Sequence, residues 1–356
     1  MSSLQNDTVT DCPGLDAVEI LDCTLRDGSY AVNFQFTEST ISKVLKGLEA
    51  AGIRLIELGH GLGLNAAEAL AKPSSVSDEQ CFEIAVDSLA KANWGMFCIP
   101  GIAKLTHLRN AAAAGMGFVR VGVEITDVSP AREFIELSKE LGLRSFANLM
   151  KTNVLGIDGV AEAAKQCQKF GAEGVYLVDS VGGFLPSEVD ALFRYVSRYV
   201  SVPLGFHGHD NLGLANANAL AAANAGAQYV DATLDGIGRG AGNTTTEVLG
   251  AILWRETTHP RYEYRALSRL SETVIRPLAR LRDDRTYQLV GGLTQTHSSF
   301  FPLITKCAMA KGVDVFDLMG AVAQRNKVNP SEELITNVAS DLVSESYALG
   351  SAAFSS

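Results

Sequence analysis

The chain has 356 residues, 47% of them hydrophobic and 20% charged, with a formal net charge of -10. That length can bury a sizeable core and leaves room for one large domain with a smaller one. The acidic balance argues against nucleic acid or an anionic membrane as the main partner, and no apolar run is long enough to span a bilayer. The six cysteines, Cys12, Cys23, Cys81, Cys98, Cys167 and Cys307, are scattered without CxxC spacing, which points to a reduced cytoplasmic protein and away from a disulfide framework.

Residues 1–16 are polar and patternless and are expected to form a mobile arm. From residue 17 a unit recurs: a short apolar run, a polar turn, then an amphipathic stretch rich in Ala and Leu. Strands are expected at 18–23, 53–58, 94–99, 117–123, 144–149, 174–178, 203–207 and 228–232. Helices fit at 38–51, 78–92, 104–114, 130–141, 158–170, 187–199, 212–225 and 244–256. Gly52, Gly115, Gly142, Gly171 and Gly226 fall near the helix ends, where a left-handed cap favours glycine. Eight strands alternating with eight helices predict a (β/α)8 TIM barrel over 17–257. A doubly wound open sheet is the alternative, but no Gly-x-Gly-x-x-Gly turn follows the first strand.

After 257 the pattern changes to a polar linker and helices at 265–282, 299–312, 314–325 and 330–345, predicting an all-helical C-terminal domain over 258–345 and a tail from 346 to 356. The stretch from Gly291 to Phe300 reads as a loop carrying an isolated histidine, His297, which taken alone is a surface or capping residue.

The polar residues collect at the expected strand ends. His207 and His209 are two apart on a strand end and should point the same way, which makes half of a metal site. Arg26 and Asp27 follow the first strand, Glu57 and His60 end the second, Asn148 ends the fifth, and Asp179 and Ser180 end the sixth. In a barrel these ends converge on one cleft. Two histidines and one carboxylate bind a divalent metal and leave positions open. The glycine-rich run from Leu234 to Asn243 is either an anion cradle before a helix or a flexible closing loop. Asn243 is expected to cap the helix that follows, with a role as an extra ligand as the alternative.

Thr24-Leu25-Arg26-Asp27-Gly28, Ile56-Glu57 and His207-Gly208-His209-Asp210-Asn211 together resemble the DRE-TIM metallolyase superfamily. Within it, His60-Gly61-x-Gly63-Leu64, Gly240-Ala241-Gly242-Asn243 and Ser298-Ser299-Phe300 are similar to the 4-hydroxy-2-oxovalerate aldolases. The resemblance implies manganese or magnesium held by Asp27, His207 and His209, and cleavage of a 4-hydroxy-2-oxo acid to pyruvate and an aldehyde. It implies that Arg26, Ser180 and Glu57 form the substrate site: Arg26 stabilises the enolate, Ser180 contacts the substrate carboxylate, and Glu57 orients Arg26 or a metal-bound water; the alternatives are a loop cap for Ser180 and a buried ion-pair partner for Glu57. It also implies an acylating aldehyde dehydrogenase as partner and a homo-oligomer. One departure stands out. The aldolases carry a histidine where this chain has Tyr30 and a tyrosine where it has His297. The exchange implies His297 as base with Tyr30 holding it, the two within hydrogen-bond reach of each other or of one substrate hydroxyl; the alternative is that Tyr30 packs and His297 caps. Two other functions stand beside the aldolase: an acyl-CoA-using Claisen-type lyase or synthase of the same superfamily, and a non-catalytic dehydrogenase partner.

Overall fold

Alternating apolar strands and amphipathic helices build a closed barrel in the computed structural model, which describes residues 14–278 and 284–353. Strands β1 (Glu19–Leu25), β2 (Leu55–Leu58), β3 (Asn93–Cys98), β4 (Phe118–Glu124), β5 (Arg144–Met150), β6 (Gly174–Asp179), β7 (Leu204–Gly208) and β8 (Tyr229–Ala232) run in that order around the barrel. All neighbours are parallel, and β8 closes on β1 through Ile20–Val230 and Leu21–Asp231. This is the expected TIM barrel; the open sheet is excluded by the closure.

The helices between strands follow local rules. Glu38–Ala50 begins where the Thr37 side chain accepts from the Thr40 amide, and it buries Ile41, Val44, Leu45 and Leu48, one stripe at helical spacing. Asp78–Ser88 starts with a capping box between Ser77 and Gln80.

Inside the barrel, period two puts alternate strand residues on the axis. The lower part of the axis is filled by Leu21, Leu55, Phe118, Phe146 and Tyr176. Rings this large fit because glycines face them. A Cβ on Gly95 would lie 2.3 Å from the Phe118 ring, and one on Gly205 would lie 2.6 Å from the Tyr176 ring.

Beyond β8 the sequence reading needs three changes. First, the segment after the last barrel helix (Thr246–Glu256) still belongs to the barrel. Tyr262, Leu267 and Ile275 share the barrel's core, while a separate core forms around Phe301, Ile304, Leu318, Met319 and Ile335. The change of core thus comes later than the expected boundary at 257/258. Of the expected helix over 265–282, residues 279–282 lie outside the described residues; the rest is a helix at Tyr264–Leu270 continued by a π turn at Ser271–Ile275. Second, the expected loop is half helix: Arg285–Thr294 includes Gly291 and Gly292. These glycines serve close packing rather than a turn, since a Cβ on Gly291 would meet the Phe301 ring at 2.5 Å and one on Gly292 would meet Asn211 Cβ at 2.9 Å. Third, the last helix runs from Glu332 to Ala353, through most of the expected tail. At the other end, the expected arm lies outside the described residues up to 13, and Leu15–Ala17 forms a 3-10 turn pinned by the Thr258 amide donating to Asp16.

The C-terminal helices dock on the barrel mouth. Asn211 donates to the Gln288 carbonyl at 2.8 Å, and Lys151 donates to the Val328 carbonyl at 3.1 Å.

Candidate active site

Asp27, His207 and His209 meet at the top of β1 and β7, with their ligand atoms all within 4.8 Å of one another. The three side chains are almost fully buried. His207 is the axial residue after Gly205, and His209 follows where β7 ends; their rings lie 5.0 Å apart. Each imidazole is fixed through its Nδ1. His207 donates to Asp231 at 2.7 Å, and His209 donates to the Gly242 carbonyl at 3.1 Å. With Nδ1 engaged, Nε2 is the nitrogen each ring presents to the site, and the one on His207 is 3.9 Å from Asp27 Oδ2.

Electrostatics favour the ligand forms. Burial pushes the Asp27 carboxyl up, but the Arg26 guanidinium and then the two histidines hold it well below the usual carboxylate range. Burial first, and then Arg239, keep His209 well below the ordinary imidazole value, so it is neutral.

Beneath these residues runs a buried chain of alternating charge. Arg26 donates to Asp27 at 3.0 Å and to Glu57 at 2.6 Å. Glu57 also takes two bonds of 2.9 Å from Arg120, and Arg120 reaches Asp231, which holds His207. Phe97 lies under the Arg26 guanidinium, 4.6 Å from it, and fits there because Gly122 has no side chain.

A cavity of about 440 Å³ opens above, lined by Arg26, Asp27, Tyr30, Ser180, His207, His209 and His297, among others. Glu57 is absent from its wall: both oxygens are occupied by arginines, so it can reach a substrate only through Arg26. The Ser180 hydroxyl accepts from the Lys151 amide at 2.8 Å. Tyr30 and His297 share the cavity, yet no hydrogen bond joins them. The Tyr30 ring lies over Gly61 and packs edge-on against Phe34, which stacks on His60. Burial, then Asp27, push the Tyr30 phenol up to about 12. His297 caps the 3-10 turn Ser298–Phe300 by accepting from the Ser299 amide. Burial, then Arg239 and Lys151, keep it well below the ordinary imidazole value, so its ring is neutral.

Asn243 is not a helix cap. The helix begins at Thr246, and Asn243 instead donates to Asp27 and to the Ile237 carbonyl. Its buried Oδ1 has no partner. One carboxylate and two imidazoles with their ligand atoms within 4.8 Å of one another are a donor set that fits a divalent cation.

Arg120, Asp231, Lys151 and Arg239 escaped the sequence reading. The signal for the first two was a single charge inside an apolar strand, in Phe118-Val119-Arg120-Val121 and Tyr229-Val230-Asp231-Ala232.

Known proteins resemble this chain over most of its length. The family model described as HMGL-like matches residues 17–274. The 4-hydroxy-2-oxovalerate aldolase 2 of Nocardia farcinica is 36% identical over 335 residues, covering 93% of this chain and 96% of that protein. The 4-hydroxy-2-oxovalerate aldolase of Pelotomaculum thermopropionicum is 35% identical over 329 residues, or 91% and 96% of the two chains. Among solved structures, the N-terminal domain of a candidate aldolase from Bacteroides vulgatus superposes with a TM-score of 0.66 at 25% identity, covering 79% of this chain and 94% of that one. The carboxyl transferase domain of Rhizobium etli pyruvate carboxylase, solved with pyruvate, has a TM-score of 0.74 at 18% identity, covers 92% of this chain and 60% of that one, and shares the fold. The aldolase match runs past the barrel into the C-terminal helices, and with it this chain belongs to the HMGL-like family.

Proposed function

We propose that the protein is a divalent-metal-dependent class II aldolase that cleaves or forms the C3–C4 bond of a 4-hydroxy-2-oxo acid, giving pyruvate and an aldehyde. The observation that carries this reading is the meeting of Asp27, His207 and His209 beside Arg26 on one cavity wall. Asp27, His207 and His209 would hold the ion, manganese or magnesium. A bound divalent cation supplies Lewis acidity toward the 2-oxo acid.

The chain's own residues would do the rest. Ser180 contacts the substrate carboxylate. His297, neutral at the cavity wall, takes the proton from the 4-hydroxyl. The O–H electron pair then becomes the new carbonyl bond, the C3–C4 bond breaks, and its electrons move onto the pyruvate enolate. Arg26 stabilises that developing charge, held in place by Glu57. Tyr30 is too weak an acid to act as the base and orients the hydroxyl. We assign the enzyme to the reducing cytoplasm, as a homo-oligomer, with an acylating aldehyde dehydrogenase as the partner that takes up the aldehyde. No described helix is long and apolar enough to cross a membrane.

The test is pyruvate release by metal-loaded enzyme from a panel of 4-hydroxy-2-oxo acids. Metal-dependent pyruvate release supports the reading, and its absence across the panel, with acyl-CoA thioesters turned over instead, defeats it.

A further inference from the structure

The cavity wall carries more positive charge than the proposed reaction needs. Arg26 is met by Asp27 and Glu57, and Lys151 is met by Glu124. Arg239 is not met. Its guanidinium donates to the Ser298 hydroxyl at 2.5 Å and to the Ser180 carbonyl at 2.7 Å, both neutral groups, and it makes no ion pair among the described residues. Lys72, also on the wall, makes none either. This excess is local, because the chain as a whole is at -10.

An arginine in such a place is held for something. It is half-buried, its two hydrogen bonds leave further N–H donors unused, and it faces a cavity that already contains Arg26. Desolvating a cation without a counter-charge is costly. Burial acts first to hold Arg239 below the usual arginine value, and nearby Asp27 pulls the other way, but Asp27 is itself bonded to Arg26. The ion of the proposed function would add positive charge, so the carboxylate of a 2-oxo acid leaves the site unbalanced. The position of Arg239 is also informative. It bridges the Ser180 turn and the loop bearing His297, and with Lys151 it sets the local field at that histidine. At about 440 Å³ the cavity lies within the range of pockets that enclose drug-sized ligands, roughly 300–1,000 Å³. That is more space than a five-carbon 4-hydroxy-2-oxo acid fills.

We infer that the aldehyde half of the substrate carries its own anionic group, a carboxylate or a phosphate monoester, and that Arg239 binds it. This rests on the aldolase reading above and narrows it: a neutral short-chain aldehyde would leave Arg239 without a counter-charge. Arginine suits both anions through its planar fork of donors.

The experiment uses the full chain loaded with Mn2+. Pyruvate release is measured from three 4-hydroxy-2-oxo acids matched in length, ending in a methyl, a carboxylate or a phosphate monoester. The expected result is a kcat/KM at least about tenfold higher for one of the two anionic substrates, carried mainly by KM; which one wins identifies the anion. Arg239→Gln should bring the anionic-to-neutral ratio toward one, and Arg239→Lys should keep part of it. Thermal melting of both variants separates loss of preference from loss of fold. Equal kcat/KM for all three substrates overturns the inference while leaving the aldolase reading intact. No pyruvate from any of them defeats the aldolase reading itself. The inference also falls if Arg239→Gln raises the KM for pyruvate in methyl proton exchange as much as it raises the KM for the anionic substrate. Arg239 would then hold the 2-oxo acid's own carboxylate.

Discussion

The two halves of the barrel interior are built from the same strands and the same alternation, yet they do opposite things. In the lower half, Phe118, Phe146 and Tyr176 fill the axis against Gly95, Gly174 and Gly205. Two residues further along β4, Phe118 gives way to Arg120, and the axis becomes a chain of ion pairs through Glu57, Arg26 and Asp231 up to His207. The lower half gains stability by area and shape. The upper half spends some of it to bury charges, since a buried ion pair returns little net stability against its desolvation. What it gains is position: Asp231 fixes one ring, Glu57 fixes one guanidinium, and Arg120 ties the two carboxylates together.

Substitutions should separate these roles. The largest effect is expected at the top. His209→Ala should abolish pyruvate release with little change in melting temperature, because it removes a proposed ligand and leaves the packing below untouched. Loss of the fold in that variant would break the contrast. His297→Gln should lower kcat by about 10²–10⁴-fold, the usual contribution of a positioned base. The wild-type pH profile gives the sign: a base whose folded value is depressed stays unprotonated down through the ordinary histidine value of about 6.5, so the acid limb of kcat/KM assigned to it should lie below that pH and vanish in His297→Gln.

Arg120→Met sits between the halves. It leaves Glu57 and Asp231 buried without their shared cation, which should cost about 3–5 kcal/mol of stability in denaturant unfolding and weaken metal affinity through His207. An intact metal affinity would make Arg120 a structural residue alone. In the lower half, Phe118→Ala should cost about 3–5 kcal/mol from the cavity it opens, while the folded fraction keeps its kcat. Gly205→Ala is milder, about 1–3 kcal/mol, as its new methyl meets the Tyr176 ring.

The barrel was legible because its signal repeats: each strand–turn–helix unit restates the last, so an error of a few residues at one boundary does not change the count. The cluster of Asp27, His207 and His209 was legible because they sit at strand ends as unusual polar types in fixed spacing. The C-terminal helix Arg285–Thr294 was not, since Gly291 and Gly292 look like a loop until Phe301 and Asn211 are seen pressed against them. Long-range packing left no local trace. Asn243 was misread for a related reason: a polar residue shortly before a helix resembles a cap, and only the folded chain brings Asp27 to it from 216 positions away. Arg120 and Asp231 were readable in principle, as lone charges at alternating positions of apolar strands.

The proposed chemistry needs one ion held by Asp27, His207 and His209. Mn2+ titrated calorimetrically into metal-stripped protein should bind once per chain, and into His207→Ala of unchanged melting temperature it should not bind. Equal stoichiometry and affinity in the two proteins would place the metal elsewhere and contradict the account.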